Sequence, residues 1–271
     1  VMHQVVANND ISGVEVPLVL MNSFFTDQMT EKIVGKTPII IMNFVQNEYP
    51  RIRQDDYMPL ETGEDEDWCP AGHGDFYNSF YGSGLVDALL DLGLRYVFVS
   101  NIDNLSAVLS PVILGMMVAQ NKDFIMEVTA KTLADVKGGA PVTYRDQLSL
   151  LEIAQVPEDN HDDFQNIERF RYFNTNNLWV DLRSLKKIMA EKSMQLPVIQ
   201  NRKEIKGHKV IQIETAMGAA LSSFNQPGLV NVPRNRFAPV KKIADLEYLQ
   251  SDQFELDSQY RIRQKGEELI Y

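Results

Sequence analysis

The sequence predicts an α/β fold in which a mixed, mostly parallel sheet is flanked by helices. Short runs rich in β-branched and aromatic residues alternate with segments whose apolar residues recur at helical spacing. Continuously apolar runs are typical of strands buried on both faces, and strand–helix alternation favours parallel strands joined by crossover helices. The 271 residues, 44% of them hydrophobic, are enough for one large domain with a full core.

The predicted strands and helices are distributed over the whole chain. Strands are expected where Val, Ile, Leu, Phe and Tyr are dense, at residues 16–21, 38–44, 95–100, 124–128, 178–180 and 210–213. Helices are expected where the apolar residues have helical spacing, at residues 28–33, 84–92, 110–120, 162–170, 182–191 and 215–224. A proline-rich turn region at 227–239 is expected to separate the last strong helix from the tail, with a domain edge near it.

The charge balance disfavours polymeric anions as partners. Lys and Arg total 26 against 37 Asp and Glu, which gives a net charge of −11. Such a chain repels nucleic-acid backbones and anionic membrane surfaces, so we expect no nucleic acid and no membrane among its partners. A phosphate group can still be held, because a few local N–H groups and one lysine are sufficient for it.

Cysteine content and the length of the apolar runs indicate a cytoplasmic protein. Cys69 is the only cysteine, so no intrachain disulfide can form. The longest apolar runs, such as residues 37–42, are far too short to span a bilayer. Residues 1–4 have neither the basic start nor the apolar core of a signal peptide, and we expect the chain to begin within a longer protein.

Polar residues that directly follow predicted strands are candidates for ligand contacts, because ligands gather at the carboxyl ends of parallel strands. These residues are 22–23, 46–47, 101–104 and 174–177. In the third group, Asp103 stands among carboxamides at the end of a predicted buried strand. Such a carboxylate suits Mg²⁺, which proteins hold with one or two carboxylates together with substrate phosphates. A helix cap or a turn is the alternative.

Three further segments contain residue types suited to a ligand. Residues 70–75 place His73 between two glycines, which permits close backbone approach, although the motif alone favours an ordinary tight turn. The asparagines of residues 173–179 suit sugar hydroxyls or an Asn-rich turn before a strand. Residues 231–241 combine prolines with two arginines and a lysine, as expected of a phosphate clamp or of a solvated loop. The chain has no cysteine cluster and no complete P-loop, which disfavours zinc sites and P-loop NTPases.

Taken in order, these segments resemble the eukaryotic-type UTP–glucose-1-phosphate uridylyltransferase (UDP-glucose pyrophosphorylase) family. The similarity runs from about residue 16 to residue 250 and includes residues 17–24, 72–75, 97–104, 134–139, 151–157, 173–179, 210–216 and 231–241. Because their order is that of the family, the set is far more specific than any single motif. The resemblance implies a Rossmann-like sheet of the nucleotide-diphospho-sugar transferase type.

The resemblance also implies a nucleotidyltransferase that forms UDP-glucose and pyrophosphate from UTP and glucose 1-phosphate with Mg²⁺. The sugar phosphate would attack the α-phosphorus of UTP, so no protein nucleophile is needed. A UDP-sugar pyrophosphorylase for another hexose 1-phosphate and a catalytically silent sugar-nucleotide-binding module are the alternatives. The family includes monomers and larger assemblies, so the resemblance assigns no oligomeric state.

One set of residues is assigned to the nucleotide by the resemblance. Gln46 would read uracil, because its carboxamide can both accept from the ring N–H and donate to a ring carbonyl. Gly72 would bring its backbone against the base, where a Cβ would hold the nucleotide away. Asp103 would hold Mg²⁺ between phosphates, and Asn101 would line the site near the sugar nucleotide.

The remaining assignments concern the sugar phosphate and the transferred phosphoryl group. His73 would lie beside the sugar phosphate, and Asn176 would bind glucose hydroxyls. Lys241 occupies the position of the family's principal catalytic cation. A lysine there offsets the charge that builds on the phosphoryl oxygens during transfer.

Compared with the family, the chain is expected to be incomplete. Nothing like the family's Gly-rich nucleotide loop occurs in residues 1–13, and the loss of the strand before that loop would leave a gap in the sheet. We therefore expect residues 1–250 to form a catalytic nucleotidyltransferase domain without this loop. Residues 251–271 are expected to be a tail or the start of a truncated C-terminal domain.

Overall fold

The computed structural model describes residues 1–35 and 37–266. Helices within these residues are α1 (Met2–Ser12), α2 (Asp27–Val34), α3 (Phe76–Gly82), α4 (Leu85–Asp91), α5 (Pro111–Ala119), α6 (His161–Gln165), α7 (Leu182–Ala190) and α8 (Ile243–Leu249). The strands of the first half are β1 (Leu18–Asn22), β2 (Ile41–Val45), β3 (Glu48–Pro50), β4 (Ile52–Arg53), β5 (Trp68–Pro70), β6 (Tyr96–Val99) and β7 (Phe124–Ala130). The strands of the second half are β8 (Ala140–Tyr144), β9 (Gln147–Leu151), β10 (Tyr172–Asp181), β11 (Val198–Ile205), β12 (His208–Thr215), β13 (Pro227–Asn231), β14 (Phe254–Leu256) and β15 (Ile262–Gln264).

A four-stranded sheet of order β13-β7-β10-β6 lies at the centre of the chain. β13 is parallel to β7, whereas β10 runs antiparallel to both β7 and β6. β1 and β2 form a separate parallel pair. The predicted mixed α/β fold is therefore confirmed, and the predicted parallel pairing is confirmed in part, since β10 runs against its two neighbours.

Side chains alternate across the central sheet and define a core on each face. On one face, residues of β7 and β10 pack against α3, α4 and α7; the fully buried members include Tyr77, Phe80, Phe124, Leu178, Leu182 and Leu185. On the other face, Ile125 and Trp179 pack against Met117 of α5. Because successive strand residues point to opposite faces, the continuously apolar start of β7 serves both cores at once.

β1 and β6 each have one edge without a partner strand among the described residues, and both strands line the same cavity. Among the described residues, β1 pairs only with β2 and β6 pairs only with β10. All residues of β6 and most of β1 line a cavity of about 840 Å³, to which α1 contributes Val5. Backbone N–H and C=O groups on these edges are therefore free to pair with an added strand.

Antiparallel hairpins surround the central sheet. β11 and β12 form a long hairpin with β4 on its other side, and β8 pairs with β9. β14 and β15 form a hairpin in the predicted tail, where Gln4 of α1 donates to the Tyr260 carbonyl at 2.9 Å. The last residues of that predicted tail, 267–271, lie outside the described residues. No helix in the described chain is long and apolar enough to cross a membrane.

One predicted helix is wrong in extent, and another is wrong in type and extent. The helix predicted at 162–170 ends at Gln165, because the Asn166 side chain accepts from the backbone N–H groups of Glu168 and Arg169 and forms a local turn. The helix predicted at 215–224 is a 3₁₀ segment, Met217–Ser223, and Thr215 belongs to β12.

The turn region predicted at 227–239 is also wrong in its first part. Residues 227–231 form β13, which pairs with β7 in parallel register. Pro227 is the first residue of this strand, a position at which the missing N–H of proline is tolerated.

Candidate active site

Gln46 and Gly72, predicted to contact a base, lie next to each other. The Gln46 backbone N–H donates to the Asn22 carbonyl at 2.8 Å, which joins the ends of β1 and β2. Its Oε1 accepts from the Gly72 N–H at 3.1 Å. Gly72 has φ of +86°, and a Cβ there would lie 3.1 Å from the Glu214 Cβ. The glycine is therefore required by its left-handed backbone and by close packing on β12.

A buried carboxylate fixes the residue that follows Gln46. Asp75 accepts from the Asn47 backbone N–H at 2.7 Å and from the Asn47 Nδ2 at 3.0 Å. Because both bonds hold the chain directly after Gln46, they limit the positions available to the Gln46 side chain.

His73 is held as a neutral hydrogen-bond donor. Its Nδ1 accepts from the Met217 backbone N–H at 3.0 Å, so the proton of the neutral ring is on Nε2. Although part of the residue is exposed, protein surrounds much of the ring, and this burial lowers the His73 pKa against the opposing effect of Glu214. A neutral Nε2–H can donate to a phosphate oxygen without adding charge.

Asn101 and Asp103 follow β6 directly, as the sequence predicts. The Asn104 backbone N–H donates to the Asn101 carbonyl at 3.1 Å and closes a turn. Both predicted residues line the cavity beside β1 and β6, and His73 lines it too. Among the described residues, no hydrogen bond occupies the Asp103 carboxylate, so it is available to a ligand.

Asn176 lies on a bulge inside β10, which corrects the expected placement of residues 174–177 at a strand end or in a turn. The register of β10 against β7 shifts between Asn174 and Leu178, and Asn176 has φ of +59°. Asparagine tolerates this left-handed conformation, so the strand continues through the bulge. The Asn174 side chain fixes the bulge by donating to the Asn176 Oδ1 at 2.7 Å and by accepting from the Asn176 N–H at 2.8 Å.

Lys241 lies with Asn176 and His73 around a second cavity, of about 460 Å³. Its backbone N–H donates to an Asp245 carboxylate oxygen at 2.9 Å, just before α8. The neighbouring Val240 N–H donates to the Asp103 carbonyl at 2.9 Å. This bond joins the Lys241 segment to the predicted Mg²⁺ ligand, although the two residues are far apart in sequence.

Glu152 is a site residue to which the sequence prediction assigned no role. It lines the second cavity, and burial raises its pKa against the opposing effect of Lys131. A Cβ on Gly139 would lie 2.5 Å from the Glu152 Oε1, so the glycine leaves room for this carboxylate. Glu152 directly follows β9, a strand that the sequence prediction missed. The strand-end rule would have selected Glu152 had β9 been recognised.

The structure thus brings the predicted residues together around His73. Asn101 and Asp103 line one cavity, Asn176 and Lys241 line the other, and His73 lines both. Gln46 and Gly72 lie outside both linings and connect to the site through the chain next to His73. The two cavities that share His73 thus present carboxamides, a carboxylate and a lysine.

A family model described as UTP–glucose-1-phosphate uridylyltransferase matches residues 1–269. A protein of this name from Hordeum vulgare is 47% identical over 96% of this chain and 56% of its own length. One from Solanum tuberosum is 46% identical over 97% of this chain and 57% of its own length. The chain therefore spans a little over half the length of these curated relatives.

Solved structures with the same fold include UDP-glucose phosphorylase from Trypanosoma brucei, with a TM-score of 0.83 and 38% identity over 97% of this chain and 60% of that chain. They also include a mutant UDP-glucose pyrophosphorylase from Leishmania major in complex with UDP-glucose, with a TM-score of 0.82 and 35% identity over 97% of this chain and 61% of that chain.

The fold is a nucleotidyltransferase fold. Within that class, the match over nearly the whole chain settles the family. The chain belongs to the UTP–glucose-1-phosphate uridylyltransferase family.

Proposed function

We propose that the protein catalyses the formation of UDP-glucose and pyrophosphate from UTP and glucose 1-phosphate. The observation that carries the proposal is the cavity of about 460 Å³ in which Lys241, Asn176 and His73 converge. The hydrogen bond from Val240 to Asp103 supports it, because it places the lysine segment beside the candidate Mg²⁺ ligand. Relatives and solved structures named for this reaction support it further.

Sugar hydroxyls would contact Asn176 and Glu152. Asn174 donates to the Asn176 Oδ1, so the Asn176 Nδ2 is oriented as a donor to a hydroxyl oxygen. The Glu152 carboxylate supplies the complementary acceptor on the wall of the same cavity. One donor and one acceptor on a rigid bulge and a strand end favour a polyhydroxyl ligand over an apolar one.

The phosphoryl transfer would depend on Lys241 and His73. An oxygen of the sugar phosphate forms a bond to the α-phosphorus of UTP, and the bond from that phosphorus to the pyrophosphate oxygen breaks. Lys241 stabilises the negative charge on the phosphoryl oxygens, and the His73 Nε2–H orients the sugar phosphate. Because the attacking oxygen is already anionic, no protein base is required.

Asp103 fits the Mg²⁺ that the family implies. Its carboxylate is available at the cavity beside β6, and oxygen is the ligand type that Mg²⁺ prefers. Within the part of the chain that the structure describes, no group of three or more His, Cys, Asp or Glu residues could hold a metal ion. Phosphate oxygens and water would complete the coordination. Bound Mg²⁺ would neutralise phosphate charge.

Uracil would be read by Gln46 and Gly72. With Oε1 directed at the Gly72 N–H, the Gln46 Nε2 can donate to a ring carbonyl, and the second lone pair of Oε1 can accept from the ring N–H. The protein would carry out this reaction in the cytoplasm, a location supported by its single cysteine.

The test is pyrophosphorolysis of UDP-glucose with Mg²⁺, compared between the wild-type chain, Lys241→Ala and Lys242→Ala. Loss of Lys241 is expected to lower kcat by roughly 10²–10³-fold, in the range seen when one charge-stabilising donor is removed. Lys242→Ala is the matched control, because Lys242 is the neighbouring exposed lysine and does not line the cavity. Equal activity of the two variants would contradict the role of Lys241.

Substrate range is tested in the same assay. UDP-galactose and UDP-N-acetylglucosamine are compared with UDP-glucose, and the fastest turnover is expected with UDP-glucose. Binding of UDP-glucose in calorimetry without any turnover would instead favour the sugar-nucleotide-binding module.

A further inference from the structure

A glutamate without any solvent contact lies in the middle of the central sheet. Glu127 of β7 is completely buried, and each of its two carboxylate oxygens accepts two hydrogen bonds. Oε1 accepts from the Trp179 Nε1 at 2.9 Å and from an Arg236 terminal nitrogen at 2.6 Å. Oε2 accepts from the Asn177 Nδ2 at 3.1 Å and from the Arg236 Nε at 2.9 Å. All four acceptor positions of the carboxylate are therefore used.

Arg236 is the charge partner of Glu127, and its side chain is only 3% exposed. The two-point contact between guanidinium and carboxylate fixes orientation as well as distance. The Arg236 terminal nitrogen that contacts Glu127 also donates to the Val108 carbonyl at 3.0 Å, which ties the pair to the segment before α5. Removing two charges from water costs free energy that their attraction often fails to recover, so such a pair is weak evidence for a contribution to stability.

The pair is connected to the Asp103 loop through Asn104. Asn104 Nδ2 donates to the Arg236 carbonyl at 3.1 Å, and its Oδ1 accepts from the Ala238 N–H at 2.9 Å. Two residues further on, the Val240 N–H donates to the Asp103 carbonyl at 2.9 Å. The backbone from Arg236 to Lys241 is thereby bonded along its length to the loop that carries Asp103.

The same pair is connected to the bulge that carries Asn176. Asn177, the next residue, donates to Glu127 and accepts from the Asn104 Nδ2 at 3.3 Å. Thr175, the preceding residue, donates to the Glu127 carbonyl at 2.8 Å. Both neighbours of Asn176 are thus bonded to Glu127.

We propose that Glu127 and Arg236 are positioning residues that hold the segments carrying Asp103, Asn176 and Lys241 in one fixed arrangement. The three segments come from distant parts of the chain, and this buried ion pair is the point at which their hydrogen bonds meet. Neither side chain lines the site cavities, so both act through the residues they hold. The expected effect of this pair on catalysis rests on the proposed function. Its expected effect on the arrangement of the three segments rests on the geometry alone.

The structural consequence is tested by amide hydrogen exchange in four proteins: the wild-type chain, Glu127→Gln, Arg236→Met and the double variant. Each single variant leaves a buried group without its partner, and we expect the unfolding midpoint to fall by about 10 °C. The double variant removes the unpaired charge and is expected to recover most of that loss. The Ala238 and Val240 amides are nevertheless expected to exchange at least about tenfold faster than wild type in all three variants.

Measuring both the unfolding midpoint and amide exchange separates a positioning role of the pair from a contribution to global stability. If the double variant recovers both the midpoint and the wild-type protection of these two amides, the pair is only structural and the proposal is overturned. Asp181→Asn is the matched control, because Asp181 accepts two hydrogen bonds from Arg95, at 2.9 and 2.6 Å, at the other end of β10. This control is expected to lower the midpoint without changing exchange at Ala238 or Val240.

The catalytic consequence is measured as UDP-glucose pyrophosphorolysis. We expect kcat to fall about 10–100-fold in the double variant while KM changes less than about threefold, since a displaced lysine affects transfer more than binding. Wild-type kcat in the stable double variant would overturn the proposal. A wild-type chain without turnover would refute the proposed function instead, and the exchange measurement would still decide the positioning role.

Discussion

The two cavities that meet at His73 differ in size, lining and origin. The larger one, of about 840 Å³, lies along the open edges of β1 and β6 and is lined mostly by apolar side chains. The smaller one, of about 460 Å³, is lined by Glu152, Asn176 and Lys241 among others. A large apolar cavity is the usual first candidate for a ligand site. Here the convergent polar groups of the smaller cavity favour it as the proposed sugar and phosphate site, although it is the smaller of the two.

The difference follows from how each cavity is made. The larger one lies where β1 and β6 each have one edge that pairs with no described strand, so its walls are core-type side chains and unpaired backbone groups. The smaller one exists because a bulge interrupts the pairing of β10 and turns Asn176 away from the regular pleat. An irregularity in a paired strand can aim one polar side chain, whereas an unpaired edge presents only what the strand needs for burial.

The largest expected effect comes from Gly74→Ala, which alters the turn next to His73, the residue that lines both cavities. A Cβ there would lie 2.5 Å from the Thr215 carbonyl carbon, and backbone cannot move aside as a flexible side chain can. We expect a loss of about 2–3 kcal/mol in the free energy of unfolding, measured by thermal or denaturant unfolding, together with weaker binding of UDP-glucose.

Gly82→Ala is the matched control, because no described atom lies within 4 Å of its added Cβ and the residue ends α3. This variant is expected to be neutral or slightly stabilising. Equal behaviour of the two alanine variants would mean that β12 does not fix the His73 turn.

An intermediate effect is expected from Glu152→Gln, which changes the smaller cavity alone. UDP-glucose binding measured by calorimetry should weaken about tenfold, because a charged acceptor for a hydroxyl is lost. Burial raises the Glu152 pKa, so ionising the carboxyl costs stability. The cost is absent at a pH below 4.5, the ordinary pKa of a glutamate, because the carboxyl is then protonated in both states. It grows as the pH rises from 4.5 through the raised pKa of the folded state. The variant should therefore unfold at a higher temperature than wild type at pH 8, with the difference vanishing near pH 4.

The exposed glutamate Glu158 provides the control for this prediction. Glu158→Gln is expected to leave UDP-glucose binding unchanged. Normal UDP-glucose binding by Glu152→Gln would show that Glu152 does not contact the sugar, and the proposed sugar contacts of that wall would then rest on Asn176.

The smallest expected effect is the pH dependence contributed by His73. Because burial lowers its pKa, the unfolded chain takes up the proton first as the pH falls below the ordinary value of 6.5. His73 therefore contributes stability above that pH, and the contribution is lost as the pH falls toward its lowered pKa. Solvent screening keeps the effect small, since the residue is partly exposed.

Unfolding midpoints of wild type and His73→Asn between pH 5 and 7.5 measure this contribution. The wild-type midpoint should fall more steeply toward low pH than that of the variant, whose side-chain oxygen can still accept from Met217. His208→Asn, at an exposed histidine of β12, is the matched control for the substitution itself. Parallel slopes for all three proteins would contradict the lowered pKa of His73.

Sequence patterns located most strands and helices because their signals are local. The strands at β1, β2, β6, β7 and β12 and the helices α2, α4, α5 and α7 occur where their apolar patterns predict them. The strand-end rule also selected Gln46, Asn101 and Asp103 correctly as neighbours of strand ends. It missed Glu152 because β9 has too weak a pattern, and it misplaced Asn176 because a bulge leaves no regular period to detect.

By itself, the sequence determined the α/β class, the family and the residue types available to the site, since these depend on periodicity and on motifs kept in order along the chain. The tertiary structure decided the direction of β10, the bulge that presents Asn176 and the hydrogen bond from Val240 that joins the Lys241 segment to Asp103. Those features involve pairings between residues far apart in sequence, and the buried contact of Glu127 with Arg236 is one such pairing. No local pattern encodes such a pairing, because its energy arises only when the sheet has closed around it.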